Sequence, residues 1–347
     1  MHLHIVIPDL FWPRSDEHEL YRDLRLPALE LLLARGRRSV SPLGGYERWI
    51  AAQFGVHGDD VPVAPYRLLG EGIDPGASRW LCADPVHLEA GMDSVSLSEA
   101  AFLDIDGTEA AALVDALNGH FSGEGIQLVA PAPARWYTRL ADDAELGDDG
   151  LITTALESAH GPIGDETLPR GRAGARWRAL LTEAQMLMHE HPVNRAREAR
   201  GAPMVNGIWV WGGGARGALA SRRRERWHAD DALTRGLARA ADAFSACAPE
   251  ALLKEGLLRE GIRWFVLGGA RERVKQGDAA GWRSALARLE SDWFAPTASL
   301  LKHGDIGMAS IHAVSPHGTL SVETTRSDLR HLWHRPRPLV TYLAASA

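Results

Sequence analysis

The chain begins with the pattern of an α/β sheet: an apolar run, a carboxylate and then an amphipathic helix. The run Leu3–Ile7 ends at Pro8-Asp9, and leucines between residues 26 and 33 recur at helical spacing. A second apolar strand, Trp264–Leu267, is predicted near the other end of the chain. Strands that alternate with helices favour an α/β sheet, so we expect these two strands to share one sheet with helices on both faces.

The middle of the chain predicts a different arrangement. Residues 62–85 are rich in proline and glycine, and a strand, helix, strand, strand order follows, which is typical of a small α+β module. The predicted organisation is a first part of the α/β core in residues 1–74, an inserted module in 75–204 and a second part of the core in 205–347. The strand Val205–Trp211 is expected to return to the core sheet.

Composition excludes several classes of protein. The 347 residues carry a net charge of −7, and the pI is about 6.1, which argues against a general nucleic-acid binder. Residues 222–228 form a basic cluster that is interpreted as a solvated helix face, with contact to RNA or an acidic partner as the alternative. Cys82 and Cys247 form no CxxC pair, so neither a disulfide framework nor a cysteine zinc site is expected. With no membrane-length apolar run and no basic N-terminal region, a cytoplasmic protein without a membrane partner is predicted.

Two central segments carry a family resemblance. The segment His191-Pro192-Val193-Asn194-Arg195-Ala196-Arg197 and the strand Val205–Gly214 resemble the H-P-x-N-x-x-R and I-W-L-W-G-x-G motifs of archaeal-type cofactor-independent phosphoglycerate mutases. Trp80–Val86 is a looser match to the R-x-N-L segment where the inserted domain of that family begins. The opening strand, Asp9 and a helix that starts at Pro27 are similar to the start of alkaline phosphatase superfamily proteins. The resemblance implies an alkaline-phosphatase-like core with an inserted domain.

The resemblance also implies a serine nucleophile and two divalent metal ions held by Asp and His residues. The serine should follow the second strand in chain order, which is predicted here at Arg37–Val40, and should lie at the start of a helix. This chain has Gly44, Gly45 and Tyr46 there, and the Tyr46 phenol is the hydroxyl at that helix start. Ser41 lies just upstream, and it is the candidate nucleophile only if the chain is active.

The implied metal ligands are also sparse. An Asp-x-x-x-His pair is expected after the Trp264–Leu267 strand, where the chain reads Gly-Gly-Ala-Arg-Glu-Arg, and Pro316 stands where an Asp should precede His317. Asp9 and His317 are possible remnants of the ligand set. Because two ligands are too few for a pair of Mn²⁺ or Mg²⁺ ions, no cofactor is expected. A zinc site recruited from His2 with His4, or from His331 with His334, is the less favoured alternative to isolated histidines.

The sequence therefore predicts a phosphoglycerate-mutase-like, catalytically degenerate protein that senses a ligand or binds a protein, with a regulatory outcome. The alternative is an active Mn- or Mg-dependent 2,3-bisphosphoglycerate-independent phosphoglycerate mutase, or a related phosphotransferase or hydrolase. The expected ligand is a phospho-acid at the carboxyl ends of the strands, with Asp9, Asn194, Arg197 and His317 as candidate contacts. An internal network that holds their loop is the alternative role for Asn194 and Arg197. We expect Asp9 to be paired with a cation or a hydrogen-bond donor.

Overall fold

A computed structural model describes residues 1–13, 18–58, 60–91, 95–99, 102–140, 150–159, 162–253 and 261–345. The chain forms two compact units. The core unit comprises Met1–Gly55 and Leu219–Ala347, and the inserted unit is Val56–Ala218. The boundaries of the inserted unit therefore lie at 55/56 and 218/219, whereas the sequence predicted boundaries at 74/75 and 204/205. In the described part of the chain, no helix combines the length and the apolar character needed to cross a membrane.

The strands, in chain order, are β1 His2–Pro8, β2 Arg37–Ser41, β3 Arg79–Ala90, β4 Val95–Glu99, β5 Ile126–Ala132, β6 Arg135–Leu140, β7 Leu151–Ile152, β8 Pro162–Ile163, β9 Arg170–Gly171, β10 Gly207–Gly214, β11 Glu225–His228, β12 Phe244–Ala246, β13 Ile262–Val266, β14 Met308–Val314 and β15 Thr319–Thr325. The α-helices are α1 Pro27–Arg35, α2 Tyr46–Gln53, α3 Val63–Gly70, α4 Gly107–His120, α5 Gly174–His189, α6 Pro192–Ala199, α7 Ala232–Ala240, α8 Gly269–Lys275, α9 Ala279–Leu289 and α10 Ala295–His303.

The core unit contains a seven-stranded sheet in the order β12-β11-β13-β1-β14-β15-β2. The strands from β12 to β14 are mutually parallel, and β1 pairs directly with β13, with His4 opposite Trp264. β15 is antiparallel to both of its neighbours, so β2 runs in the same direction as β1. The mixed α/β class expected from the sequence is confirmed. The parallel direction of these strands brings their carboxyl ends to one edge of the sheet.

The two faces of the core sheet are covered differently. Alternation along β1 directs Leu3, Ile5 and Ile7 into an apolar core that also contains leucines of α1 and Trp282 of α9. His4 lies on the opposite face, where its ring stacks on Trp264 at 3.7 Å between centroids. Helix α2 contributes Trp49 to this second face.

The inserted unit contains an antiparallel sheet in the order β5-β6-β3-β4-β8, and β10 also pairs with β3. Helices α4 and α5 pack on one face through a core that includes Leu117, Trp136 and Trp177. The prediction that Val205–Trp211 returns to the core sheet is wrong, because β10 lies beside β3 with Trp209 opposite Asp84. Both faces of β10 are buried, so its apolar residues identify a central strand without identifying the sheet.

Segments that carry the family resemblance meet in this sheet. Asp84 of β3 accepts hydrogen bonds from the Trp211 indole at 2.9 Å and from both terminal nitrogens of Arg67, at 2.9 and 3.2 Å. The Arg67 guanidinium also lies 5.3 Å from the centroid of the Tyr137 ring and 5.4 Å from that of Trp211. The buried charge of Asp84 is therefore compensated within the inserted unit.

The basic cluster at residues 222–228 also differs from its interpretation as a solvated helix face. Its second half forms β11, and Trp227 and His228 are buried. Trp227 stacks on Trp264 of the neighbouring strand, with ring centroids 4.4 Å apart. The arginines give the segment a polar composition, but the aromatic side chain between them packs into the sheet.

Candidate functional site

Polar side chains gather at the carboxyl edge of the core sheet. Asp9 follows β1, the amino end of α2 follows β2, Asp231 follows β11, α8 follows β13, and residues 315–318 follow β14. In an open α/β sheet this edge is the usual place for a ligand or a catalytic group. The carboxyl edge is therefore the candidate site.

Asp9 is held by its backbone at this edge. Its amide donates to the Val314 carbonyl at 2.8 Å, and its own carbonyl accepts from the Trp282 indole at 3.1 Å. Its φ of 56° is left-handed, a conformation that aspartate tolerates better than most residues. Burial raises the pKa of Asp9 to about 6, while Arg271 and Lys275 act in the opposite direction. The carboxyl group thus has two cationic neighbours whose combined effect on its pKa is smaller than that of burial, and its pairing with a cation or a hydrogen-bond donor stays a prediction.

Glu47 and Arg271 form an ion pair beside Asp9. The Arg271 guanidinium donates to Glu47 Oε1 at 2.8 Å, and both side chains are largely buried. The guanidinium also lies over the Tyr46 ring, 4.7 Å from its centroid. Glu47 in turn raises the pKa of Asp9. Two carboxylates and two cations, Arg271 and Lys275, therefore influence one another at this edge.

A close backbone contact places α2 in this position. The Gly45 amide donates to the Ser315 carbonyl at 2.9 Å, and Gly45 has a φ of 79°, which favours glycine. A Cβ atom on Gly44 would collide with the Pro316 carbonyl. The two glycines thus allow the start of α2 to approach the β14–β15 turn, which brings Tyr46 and Glu47 to the carboxyl edge.

The Tyr46 hydroxyl is engaged by α7. It donates to Asp231 Oδ2 at 2.7 Å and lies 2.6 Å from Thr234 Oγ1. Asp231 also accepts from the Thr234 amide and so caps the amino end of α7. Burial, and then the negative charge of Asp231, raise the pKa of Tyr46. The phenol is therefore a neutral, fixed hydrogen-bond donor, which is the opposite of an activated nucleophile.

Three of the predicted site residues lie at this edge. Asp9 follows β1, Ser41 ends β2, and His317 lies exposed in the β14–β15 turn. The Ser41 hydroxyl accepts from the Leu43 amide at 3.2 Å. The Ser315 hydroxyl accepts from the His317 amide at 3.3 Å. A role for Asp9 and His317 in ligand binding stays a prediction.

The other two predicted site residues, Asn194 and Arg197, are fully buried in the inserted unit. The Asn194 amide donates to the Met188 and Val205 carbonyls at 2.7 and 2.8 Å. Arg197 donates to Glu109, to the Pro203 carbonyl at 2.7 Å and to the Leu103 carbonyl. These bonds form the internal network that was the alternative interpretation of the H-P-x-N-x-x-R segment. Contact of either residue with a ligand stays a prediction.

A histidine cluster occupies the second face of the core sheet. His4 Nδ1 and His312 Nε2 are 3.0 Å apart, and His312 Nδ1 is 2.9 Å from the Ser321 hydroxyl. Burial lowers the pKa of His4 to about 2 and that of His312 to about 3, with nearby histidines acting in the same direction. Both side chains are therefore neutral at physiological pH. His2, which bonds to Ser310, completes the cluster.

Candidate ligands for the metal pair that the resemblance implies are sparse among the residues that the structure describes. Within the described ranges, no group of three or more His, Cys, Asp or Glu side chains could hold a metal ion. After β13, where an Asp and a His four residues apart are implied, the chain has Arg271 and Lys275 at that same spacing. Sequence reasoning missed this pair, and the four-residue spacing was the signal that could have revealed it.

Comparisons with known proteins support the family resemblance. A 2,3-bisphosphoglycerate-independent phosphoglycerate mutase of Methanosarcina acetivorans is 26% identical over 204 residues, which cover 55% of this chain and 48% of that protein. A protein of the same description from Methanothrix thermoacetophila is 38% identical over 66 residues, covering 19% of this chain and 17% of its own length. The chain spans about half the length of the curated relatives with the longer matches. No family model matches the chain.

Solved structures support the fold. The PH0037 protein of Pyrococcus horikoshii matches with a TM-score of 0.54 and 14% identity, covering 93% of this chain and 87% of that one. A cofactor-independent phosphoglycerate mutase of Thermoplasma acidophilum matches with a TM-score of 0.47 and 17% identity, covering 100% and 95%. The first match indicates a shared fold, and the second is too low to add to it.

Proposed function

We propose that this chain is a phosphoglycerate-mutase-related protein without metal-dependent phosphoryl transfer, and that it acts by binding a ligand or a protein, with a regulatory outcome. The observation that carries the proposal is the presence of Arg271 and Lys275 at the spacing of the implied Asp and His ligands. Both cations act on Asp9, and Arg271 is paired with Glu47. In this proposal, the side-chain charges of Arg271 and Lys275 take the place of the metal ions beside these carboxylates.

The charge of Arg271 disfavours a metal ion beside it. A divalent ion about 4 Å from a fixed guanidinium is opposed by about 8 kcal/mol at an effective dielectric constant of about 20. The carboxylates Asp9 and Glu47 would have to leave their present cationic neighbours to offset that repulsion. A phospho-acid remains the proposed ligand class at this edge, with Asp9 and His317 as candidate contacts.

The first prediction is that the purified chain does not convert 3-phosphoglycerate to 2-phosphoglycerate. The hydroxyl at the start of α2 belongs to Tyr46, whose pKa is raised and whose hydroxyl is held by Asp231. A coupled assay with added Mn²⁺ tests this, and turnover of about 1 s⁻¹ or more would contradict it. If turnover appeared, its loss in Ser41→Ala would identify Ser41 as the nucleophile and favour the active-enzyme alternative.

The second prediction is that exchanging the cation pair for ligands creates metal affinity. The double variant Arg271→Asp/Lys275→His should bind Mn²⁺ at least about tenfold more tightly than the unchanged chain, because it removes two positive charges and supplies a carboxylate and an imidazole beside Asp9. Titration calorimetry measures the affinity. The control Arg271→Gln/Lys275→Gln removes the charges without adding those ligands, and it should gain less. Two tightly bound metal ions in the unchanged chain, found by elemental analysis, would overturn the proposed function.

A further inference from the structure

An apolar pair protrudes from the segment that follows β15. Leu332 and Trp333 are 71% and 73% exposed. The Trp333 ring packs against His331 and His334 of its own segment, with centroids 4.9 and 6.0 Å away. Single exposed apolar side chains are ordinary, but an adjacent leucine and tryptophan of this exposure form a contact surface of the kind enriched in binding sites.

The segment is held at both ends. Asp328 accepts hydrogen bonds from the amide and hydroxyl of Thr325, at 2.8 and 2.7 Å, and the Leu329 carbonyl accepts from Arg35. On the other side, Leu339 and Tyr342 are buried in the apolar core of the core unit. The protruding pair is therefore presented from fixed anchor points, which lowers the entropy lost on binding.

The same segment is strongly basic. Between residues 326 and 338 the charged side chains are one aspartate, Asp328, and the arginines at 326, 330, 335 and 337, and all four arginines are exposed. Arg38 of β2 lies over the Tyr342 ring, 5.8 Å from its centroid, and both Arg38 and Arg337 lower the pKa of Tyr342 against the effect of its burial. Tyr342 therefore joins β2 to the segment in one positive surface on a chain of net charge −7.

Strand β2 adds an open sheet edge to this surface. It is the last strand of the core sheet, and in the part of the chain that the structure describes no strand pairs with its outer side. Arg37, Arg38, Ser39 and Val40 are exposed, Val40 to 57%. An edge of this kind offers backbone N–H and C=O groups to an added strand.

We propose that the basic edge, which comprises β2 and residues 326–338, docks an extended acidic segment of a partner protein that adds to β2 as a strand. Carboxylates of the partner meet Arg38 and the arginines of the segment, and its apolar side chains pack on Val40, Leu332 and Trp333. An unpaired strand edge and exposed aliphatic side chains fit an extended polypeptide. A single-stranded nucleic acid would instead bind through its phosphates and stacked bases, and an anionic lipid surface through charge alone. The inference names a partner for the binding role proposed above.

The test uses a fluorescein-labelled peptide of alternating Glu and Val residues and the full chain, with binding followed by fluorescence anisotropy. We expect saturable binding that weakens with salt, and about a tenfold or greater loss of affinity in Arg38→Glu/Arg337→Glu and in Trp333→Ala. Arg223→Glu is the matched control, because Arg223 is an exposed arginine of β11's preceding turn whose side chain pairs with Asp242 outside this surface. It should leave the affinity unchanged. Hydrogen exchange should show protection of the Ser39–Ser41 amides on binding.

Several outcomes would overturn the inference: no binding of the peptide, equal losses in the control, or binding without protection of β2. Single-stranded oligouridine and phosphatidylserine vesicles are tested in parallel. If either of them binds through the same arginines while the peptide does not, the partner is a nucleic acid or a membrane rather than a protein. Thermal melts of each variant ensure that lost binding reflects the surface rather than the fold. The peptide experiment and the tests of the proposed function can fail independently. Phosphoglycerate turnover or tight metal binding would overturn the proposed function without changing the measured affinity for the peptide.

Discussion

Arg197→Met is expected to lower the free energy of unfolding of the inserted unit by about 3–5 kcal/mol, the cost of removing one partner from a buried ion pair. Arg197 is fully buried and donates to Glu109 and to the carbonyls of Leu103 and Pro203. These bonds tie α6 to the amino-terminal turn of α4 and to the chain that leads into it. Without the guanidinium, Glu109 and the two carbonyls lose a buried donor. Urea unfolding followed by circular dichroism measures the change.

Arg200→Met is the matched control for this prediction. Arg200 donates to the other oxygen of Glu109 at 2.6 Å, but its side chain is 52% exposed. Its loss should cost no more than about 1 kcal/mol, as for a pair open to solvent. Adding Glu109→Met to Arg197→Met should recover part of the loss, because it removes the buried carboxylate oxygen that Arg197→Met leaves without its donor. Equal effects of the two arginine variants would contradict a structural role for Arg197.

This network explains why the sequence did not distinguish a binding residue from a structural one. Asn194 and Arg197 form an amide and guanidinium pair in a short segment, a composition that suits a carboxylate or phosphate ligand. The same groups suit backbone carbonyls equally well, and the sequence does not show that Glu109 of α4 and the Leu103 carbonyl lie within reach. Long-range partners, rather than residue types, decide between the two roles.

The outline of the core sheet was predictable because it depends on local pattern. The apolar runs of β1 and β13, the helical spacing of α1 and the hairpin of β14 and β15 each appear within a few residues. The sheet to which β10 belongs was not predictable in the same way. Its residues are buried on both faces, and pairing with β3 is set by contacts more than a hundred residues apart in the chain.

The carboxyl edge was predictable in part. Asp9 and His317 each follow a strand whose direction could be inferred, so their common edge followed from topology. Glu47 and Arg271 were missed because each lies in the first turn of a helix, and Asp231 because it directly precedes one; a charged residue at such a position ordinarily faces solvent. Only the approach of α2 to the β14–β15 turn, through Gly44 and Gly45, brings Tyr46 and Glu47 against their partners.

The histidine cluster makes the core unit sensitive to acid. His4 and His312 have pKa values lowered to about 2 and about 3 by burial, whereas an unfolded histidine titrates near 6.5. As the pH falls below about 6.5, the unfolded chain binds protons that the folded chain does not. The folded state therefore loses about 1.4 kcal/mol per pH unit for each histidine, which amounts to about 4 kcal/mol for the pair at pH 5.

Asp9 has the opposite effect on the pH dependence of stability. Its pKa is raised to about 6, so the folded chain gains protons relative to the unfolded chain as the pH falls through that value. With a pKa of about 6, this gain is about 1–2 kcal/mol at pH 5, which offsets part of the histidine loss. The net acid destabilisation of the unchanged chain should therefore be smaller than that of the histidine pair alone.

His312→Gln isolates the contribution of one histidine. The variant keeps a polar side chain between His4 and Ser321 but removes a titrating group. Between pH 7 and pH 5 its free energy of unfolding should therefore fall by about 2 kcal/mol less than that of the unchanged chain. His317→Asn, at an exposed position of the β14–β15 turn, is the control for loss of a histidine outside the buried cluster. Urea unfolding at a series of pH values provides the comparison. The pKa difference between the folded and unfolded states requires the pH dependence of stability to differ between the unchanged chain and His312→Gln. Parallel plots of unfolding free energy against pH would therefore show that the buried histidine does not set the acid sensitivity.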